Sequence, residues 1–160
     1  MKVALLCLGK TNKDYVVQGM AEFEKRLSRF CKFERVELKD VKKQDNPEIL
    51  KTLEAEAIFE KLHSDDHLIL LDEKGKRFSS RKFAEEIEKV TRHSKGRLVF
   101  VVAGAFGASE ELKARAKLLL SLSDMTYSHQ LIRLIFEEQL YRAFAILNNH
   151  PYHKDRKSVV

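Results

Sequence analysis

Two groups of chemistry-bearing residues crowd the last quarter of the chain. The stretch Leu122-Ser123-Asp124-Met125-Thr126-Tyr127-Ser128-His129 offers small hydroxyls, a phenol and an imidazole. The tail Asn148-Asn149-His150-Pro151-Tyr152-His153-Lys154 offers two more imidazoles, a second phenol and an amine. A neutral imidazole beside a ligand-binding loop can take a proton or hold a polar group, which makes His129 a candidate base. Tyr152 and His153 can stack on a nucleobase and hydrogen-bond its edge. Lys154 can meet a phosphate. His150 and His153 invite a metal, but no third ligand stands nearby and no cysteine pair helps, so no metal site is expected. Each group also has a plain structural role open to it. Ser128 can cap a helix, and the tail can simply end one.

Two glycine-bearing turns complete the candidates. Gly9-Lys10-Thr11 resembles half of a phosphate loop, but Ala4 stands where the first glycine is needed and residues 4 to 8 read as strand. A strand-to-helix turn is the better reading. Ala103-Gly104-Ala105-Phe106-Gly107 is not the dinucleotide fingerprint either. Its small residues do permit close approach by a flat ligand.

These loops need a scaffold. Short apolar runs at Val3–Leu8, Phe33–Leu38, Leu68–Asp72, Leu98–Ala103 and Leu118–Leu122 suit strands buried on both faces. Helical spacing lies between them. A first helix runs from Asp14 to Phe30. A second opens at Asn46-Pro47-Glu48, a cap followed by proline and an acid, and reaches Leu62. A third follows Ser79-Ser80, and a fourth opens at Ser109 before Glu110 and Glu111. The fifth, through Leu131, Ile132, Leu134, Ile135, Phe136, Leu140, Phe144 and Leu147, is apolar nearly all round. It must be covered by its own domain and by a partner chain. Its few charges are Arg133, Glu137, Glu138 and Arg142. Strand alternating with helix predicts an α/β three-layer sandwich with a mostly parallel sheet. Ligands then bind outside the carboxyl ends of the strands, where all three loops fall.

The 160 residues read as a single domain, with the tail fraying from Asp155 onward. A net charge of +6 favours an anionic partner, nucleic acid first. Cys7 and Cys31 lack a nearby partner and read as reduced, ordinary cysteines. No signal peptide and no bilayer-length apolar run is visible, so a cytoplasmic protein is expected.

The residues also carry a resemblance. MKVALLCLGK, AEFEKRL, LDEKGKRFSS, LVFVVAGAFG, LSLSDMTYSHQLIRLIFEEQLYRAF and NHPYHK resemble the bacterial ribosomal RNA large subunit methyltransferase H family, of the SPOUT class. The match covers essentially the whole chain, and its last two segments are the most specific. The resemblance implies a C-terminal trefoil knot, a homodimer and S-adenosylmethionine as methyl donor. It implies methylation of N3 of a pseudouridine in a stem-loop of 23S ribosomal RNA, on the assembled ribosome. It maps the cofactor onto Leu71, Ala103, Gly104, Leu122, Ser123, Asp124, Met125, Thr126 and Tyr127. The groups available for catalysis are His129, Arg142, Tyr152 and His153, with Arg133, His150 and Lys154 for substrate. The family usually has Gly-Gly at Ala103-Gly104 and proline at Ser128. The first change still allows close approach, while the second bears on the loop before His129. The rival readings are a non-catalytic RNA- or ribosome-binding α/β protein and a small-molecule binder or hydrolase on a flavodoxin-like sheet.

Overall fold

The structure, a computed structural model, describes residues 1–154; the expected fraying from Asp155 lies outside them. Strands and helices alternate throughout: β1 (Lys2–Leu8), α1 (Asp14–Leu27), β2 (Lys32–Leu38), α2 (Pro47–Lys61), β3 (His67–Arg77), α3 (Ser80–His93), β4 (Leu98–Val102), α4 (Glu110–Arg115), β5 (Leu118–Ser121) and α5 (Leu131–Leu147). The strands form one parallel sheet in the order β2-β1-β4-β3-β5. Every residue of β4 is buried. Its alternation feeds two cores, as a strand covered on both faces must. Leu98, Phe100 and Val102 meet α1, α3 and α5, while Val99 and Val101 meet α2 and α4. That is the expected three-layer sandwich.

The expected caps are in place. Asn46 accepts from the Glu48 amide, Ser79 from Lys82 and Ser109 from Leu112. One strand is longer than its apolar run. After an irregularity at Leu71–Lys76, β3 pairs again with Leu120 and Ser121 through Lys76 and Arg77. Gly75 allows this: a Cβ there would lie 2.5 Å from the Leu119 carbonyl. Polar Lys-Gly-Lys-Arg gives no apolar signal, because the pairing partner, not burial, makes it strand.

From β5, at the sheet edge, residues 122–130 cross the strand ends and bring α5 against the end of β1. The helix packs on both α1 and α3. Gly19 of α1 lies so close that a Cβ would sit 2.7 Å from Leu134. Two of the four charges of α5, Arg133 and Glu137, are fully buried. Thus α5 is covered even at charged positions. Ile135 remains half-exposed and lies outside both apolar clusters. Among the described residues, no helix is long and apolar enough to cross a membrane.

Glu137 faces Glu24 of α1, whose own carboxylate pairs with Arg35 of β2 at 3.3 Å. As carboxylates, both oxygens of Glu137 would be buried without a donor. Burial first, then the Glu24 hydrogen bond and charge, push Glu137 up to about 10. It is therefore a neutral acid that donates to Glu24. The unfolded chain releases this proton in the ordinary carboxylate range, so the folded state holds one more proton from there up to about pH 10. Stability from this group is complete below that range and declines as pH rises, by on the order of 1 kcal/mol per pH unit. Glu137→Gln keeps the neutral shape without the proton. Its unfolding midpoint should fall less steeply than that of the parent from mildly acidic to alkaline pH, as thermal denaturation followed by circular dichroism would show.

Candidate active site

At the carboxyl ends of β4 and β5, beside the middle of β3, lies a cavity of about 550 Å³. Strand residues of β3 and the loops after β4 and β5 line it. Leu71 and Asp72 come from β3, the Ala103–Ala108 turn follows β4, and Leu122, Ser123, Met125, Thr126, Tyr127 and His129 follow β5. Val102, Leu120 and Ile132 add apolar wall, while Phe106 and Met125, 56% and 76% exposed, form apolar lips. The cavity suits a flat apolar group with a polar end.

The turn after β4 is closed by a bond from the Gly107 amide to the Gly104 carbonyl at 3.0 Å. Gly107 sits at φ +86°, where a side chain would be strained. Gly104 is small for a different reason. A Cβ there would come within 2.3 Å of the Glu54 carboxylate on α2. Burial, then the charge of Asp40, raise the Glu54 carboxyl above its usual range.

The loop before α5 is held from below. Ser128 accepts from the Leu131 amide at 3.1 Å, and its carbonyl accepts from Ile132 at 3.0 Å. This hydrogen-bonded turn does the restraining that a proline would do by ring closure. The regular helix starts later, at Leu131, so His129 precedes it. Its Nε2 lies 3.0 Å from both the Leu8 carbonyl and Arg133 Nη2. One nitrogen cannot donate to the first and accept from the second at once. Nη2 carries two hydrogens, so it can donate to Leu8 O at 2.8 Å and to Nε2 together, with the ring proton on Nδ1; in the other tautomer Nε2–H shares the Leu8 carbonyl.

Arg133, expected as a substrate contact, is instead a strut. Its guanidinium donates to the carbonyls of Leu8 and Gly9 and to Thr11 Oγ1, at 2.8, 2.9 and 2.8 Å. The half phosphate loop is thereby explained. Its Thr11 and Asn12 amides already donate to Glu37 and Gln130, and its Lys10 carbonyl accepts from Gln130. The Thr11 and Asn12 amides are thus already spent on the protein's own acceptors. Sequence reading missed Gln130 because its partners lie more than a hundred residues away. Asp124 also departs from expectation. It is outside the cavity lining and ion-pairs with Arg77 at the surface. The eight other cofactor positions all line the cavity.

The tail forms its own cluster. Asn149 adopts a left-handed φ of 55°, and the His150 amide bonds back to the Ala145 carbonyl at 2.8 Å, a helix stop followed by proline. His150 is used in this fold-back: its ring lies edge-on to Phe30 and its Nδ1 accepts from the Tyr152 amide. Tyr152 packs against the core, its ring centroid 4.8 Å from that of Tyr141. Its hydroxyl donates to Glu138 at 2.7 Å; Arg142 bonds the same carboxylate at 2.6 Å and contacts His153 Nδ1 at 3.0 Å. Burial, then Glu138, push the Tyr152 phenol up to about 12, so it serves as a donor and not as a base. Glu138 is the hub that sequence reading left among the helix charges; its spacing from Arg142 was the available signal. Lys154 is exposed at the end of the described residues. About 15 Å of helix separates Ile132, in the cavity, from Arg142, in this cluster. One protomer therefore holds the two groups apart.

A cavity of small turns at strand ends is a fold-level feature; family membership rests on the whole sequence. The family described as "Predicted SPOUT methyltransferase" matches residues 1–153. The chain belongs to the SPOUT methyltransferase family. Among its relatives, "Ribosomal RNA large subunit methyltransferase H" of Parabacteroides distasonis is 45% identical, over 97% of this chain and 100% of that protein. The protein of the same name from Syntrophotalea carbinolica is 42% identical over 96% and 99%, and that of Streptococcus pyogenes 40% over 96% and 100%. A solved structure of a probable methylase family protein from Haemophilus influenzae shares the fold, with a TM-score of 0.52 at 13% identity, covering 96% of this chain and 70% of that one. For a SPOUT methyltransferase the cavity lining is suitable for S-adenosylmethionine. Apolar walls fit the adenine, Ser123 and Thr126 offer hydroxyls, and Lys51 and Lys113 stand at the edge for a carboxylate.

Glu138 should control the tail phenol. Glu138→Gln removes the carboxylate charge, so Tyr152 should ionise at a pH below its present value of about 12. NMR of ring-labelled tyrosine across alkaline pH reads this directly.

Proposed function

We propose that this protein transfers a methyl group from S-adenosylmethionine to N3 of a pseudouridine in a stem-loop of 23S ribosomal RNA. It acts on the assembled ribosome as a cytoplasmic homodimer of single-domain protomers, each with a C-terminal trefoil knot. The observation that carries this reading is the cavity in a chain 45% identical, end to end, to a ribosomal RNA large subunit methyltransferase H.

S-adenosylmethionine supplies a methyl group on a sulfonium, open to in-line displacement by a ring nitrogen. The protein's task is then positioning and exclusion of water. Leu71, Leu122, the turn at Ala103-Gly104, Met125 and Tyr127, which line the cavity, would hold the donor. The nucleophilic nitrogen must lose a proton. His129, which lines the cavity beside Leu8 O and Arg133, is the imidazole placed to take that proton within a protomer. The tail contributes Arg142 and His153, cationic or polar groups that favour the ring anion, and Tyr152 as donor.

The separation of the tail from its own cavity supports assembly in trans. The partly buried Ile135 on α5, and Tyr15 and Val17 on α1 at 61% and 37% exposure, offer apolar side chains to a second copy. In that dimer the tail of one copy completes the cavity of the other.

Two experiments test this. Methyl transfer from tritiated donor should be robust on joined ribosomes and weak on separate subunits. Binding of ribosomes without any methyl transfer would return the chain to a non-catalytic RNA-binding role. Then a cavity variant, Gly104→Val, and a variant ending at Pro151 should each lose activity about a hundredfold or more. Co-expressed as mixed dimers, they should regain roughly a quarter to a half of parental activity, because one intact site re-forms. No recovery in verified mixed dimers would place the tail in its own protomer's site.

A further inference from the structure

A second groove lies at the other end of the same sheet edge, with a volume of about 450 Å³. Its floor is apolar, formed by Ile69 of β3, Val90 of α3 and Leu118 of β5. Its walls are imidazoles, His67 at the start of β3 and His93 at the end of α3. Lys89 and Lys117 line it as exposed amines. Lys117 makes no ion pair among the described residues. Lys89 has a surface pair with Glu86, the one acid of the lining, at 3.2 Å. Such an exposed pair is weak and readily exchanged for another anion.

The groove and the cavity lie along the same two strands, β3 and β5, toward opposite ends. His67, Ile69 and Leu71 alternate onto one face of β3, as do Leu118 and Leu120 along β5, with Ile69 and Leu120, 1% and 2% exposed, buried between the two openings. His67 opens the groove and Leu71 lines the cavity, about 13 Å further along the strand. That is a span of a few nucleotides of single strand. An apolar floor, flat side walls and cationic edges match a strand with stacked bases and outer phosphates.

We propose that the groove between α3 and the β3–β5 edge holds the ribosomal RNA strand flanking the target nucleotide, with Lys89 and Lys117 against its phosphates and His67 and His93 against a base. The assignment rests on the methyltransferase reading for the identity of the RNA. It gives that RNA a second contact, remote from the reacting atoms. The electrostatics agree: burial, then Lys117 and Arg115, hold His67 below its usual range against the opposing charge of Glu86. A phosphate seated here would raise it.

The test is the double variant Lys89→Glu/Lys117→Glu, with Lys32→Glu, exposed on the opposite edge strand, as control. Both positions are exposed, and the calorimetric affinity for S-adenosylmethionine should match the parent. With ribosomes as substrate, KM should rise tenfold or more while kcat at saturation is kept. The dependence of log affinity on log salt should become shallower by about 1.5, as expected for two lost phosphate contacts. The control should match the parent. An unchanged KM and salt slope in the double variant, or an equal loss in the control, would overturn the groove. Direct ribosome binding by sedimentation reads the same contrast without catalysis. An inactive parent whose ribosome binding still depends on Lys89 and Lys117 would therefore count against the methyltransferase reading and not against the groove.

Discussion

A single buried guanidinium ties the site together. Arg133 has no exposed surface, and an isolated charge so placed would cost several kcal/mol. Three acceptors offset that cost: the carbonyls of Leu8 and Gly9 and the hydroxyl of Thr11. The end of a parallel strand leaves such carbonyls without partners, and Arg133 supplies their donors. Glu37, 3.7 Å from the guanidinium, contributes a countercharge. Although burial opposes its ionisation, bonds from Thr11 and the charges of Arg35 and Arg133 hold that carboxyl below its usual range. The start of α5, the end of β1 and the ring of His129 are thereby fixed as one unit. The loop from Leu122 to Ser128 spans between this anchor and β5, so its path over the cavity follows from both ends.

The other end of α5 is organised by an acid. Glu138 gathers Tyr152 and Arg142, and the helix stop at Asn149 turns the chain back far enough for them to meet. Arg142 also stacks over the Tyr152 ring at 4.9 Å. The start of the same helix thus borders the cavity and its end carries the Glu138 cluster. Its rigidity keeps the two about 15 Å apart.

Much of this was legible in the sequence because it is local. Caps at Asn46, Ser79 and Ser109 announce their helices through the nearest amides. The continuous apolar runs of β1 and β4 announce burial on both faces. What escaped was set at long range. Arg133 looks like a surface charge until the carbonyls of Leu8 and Gly9, over a hundred residues earlier, come beneath it. Asp124 sits within a loop of cavity-lining residues yet points outward to Arg77, and neighbourhood in sequence does not give direction. The extension of β3 through Lys76 and Arg77 depends on β5, not on its own composition. The two histidines of the tail invited thoughts of a metal, while His150 in fact helps close a helix.

The account stands or falls on whether Arg133 positions the cavity. The most direct measurement is the calorimetric affinity of Arg133→Lys for S-adenosylmethionine, taken with its unfolding free energy. A lysine amine cannot reach the three acceptors in the guanidinium's planar geometry. Arg133→Lys should give a folded protein, less stable by about 3 kcal/mol, whose affinity for the donor falls at least tenfold although none of the residues proposed to hold the donor has changed. Parental affinity in that variant would contradict it, and would mean that the loop over the cavity holds its shape without the strut.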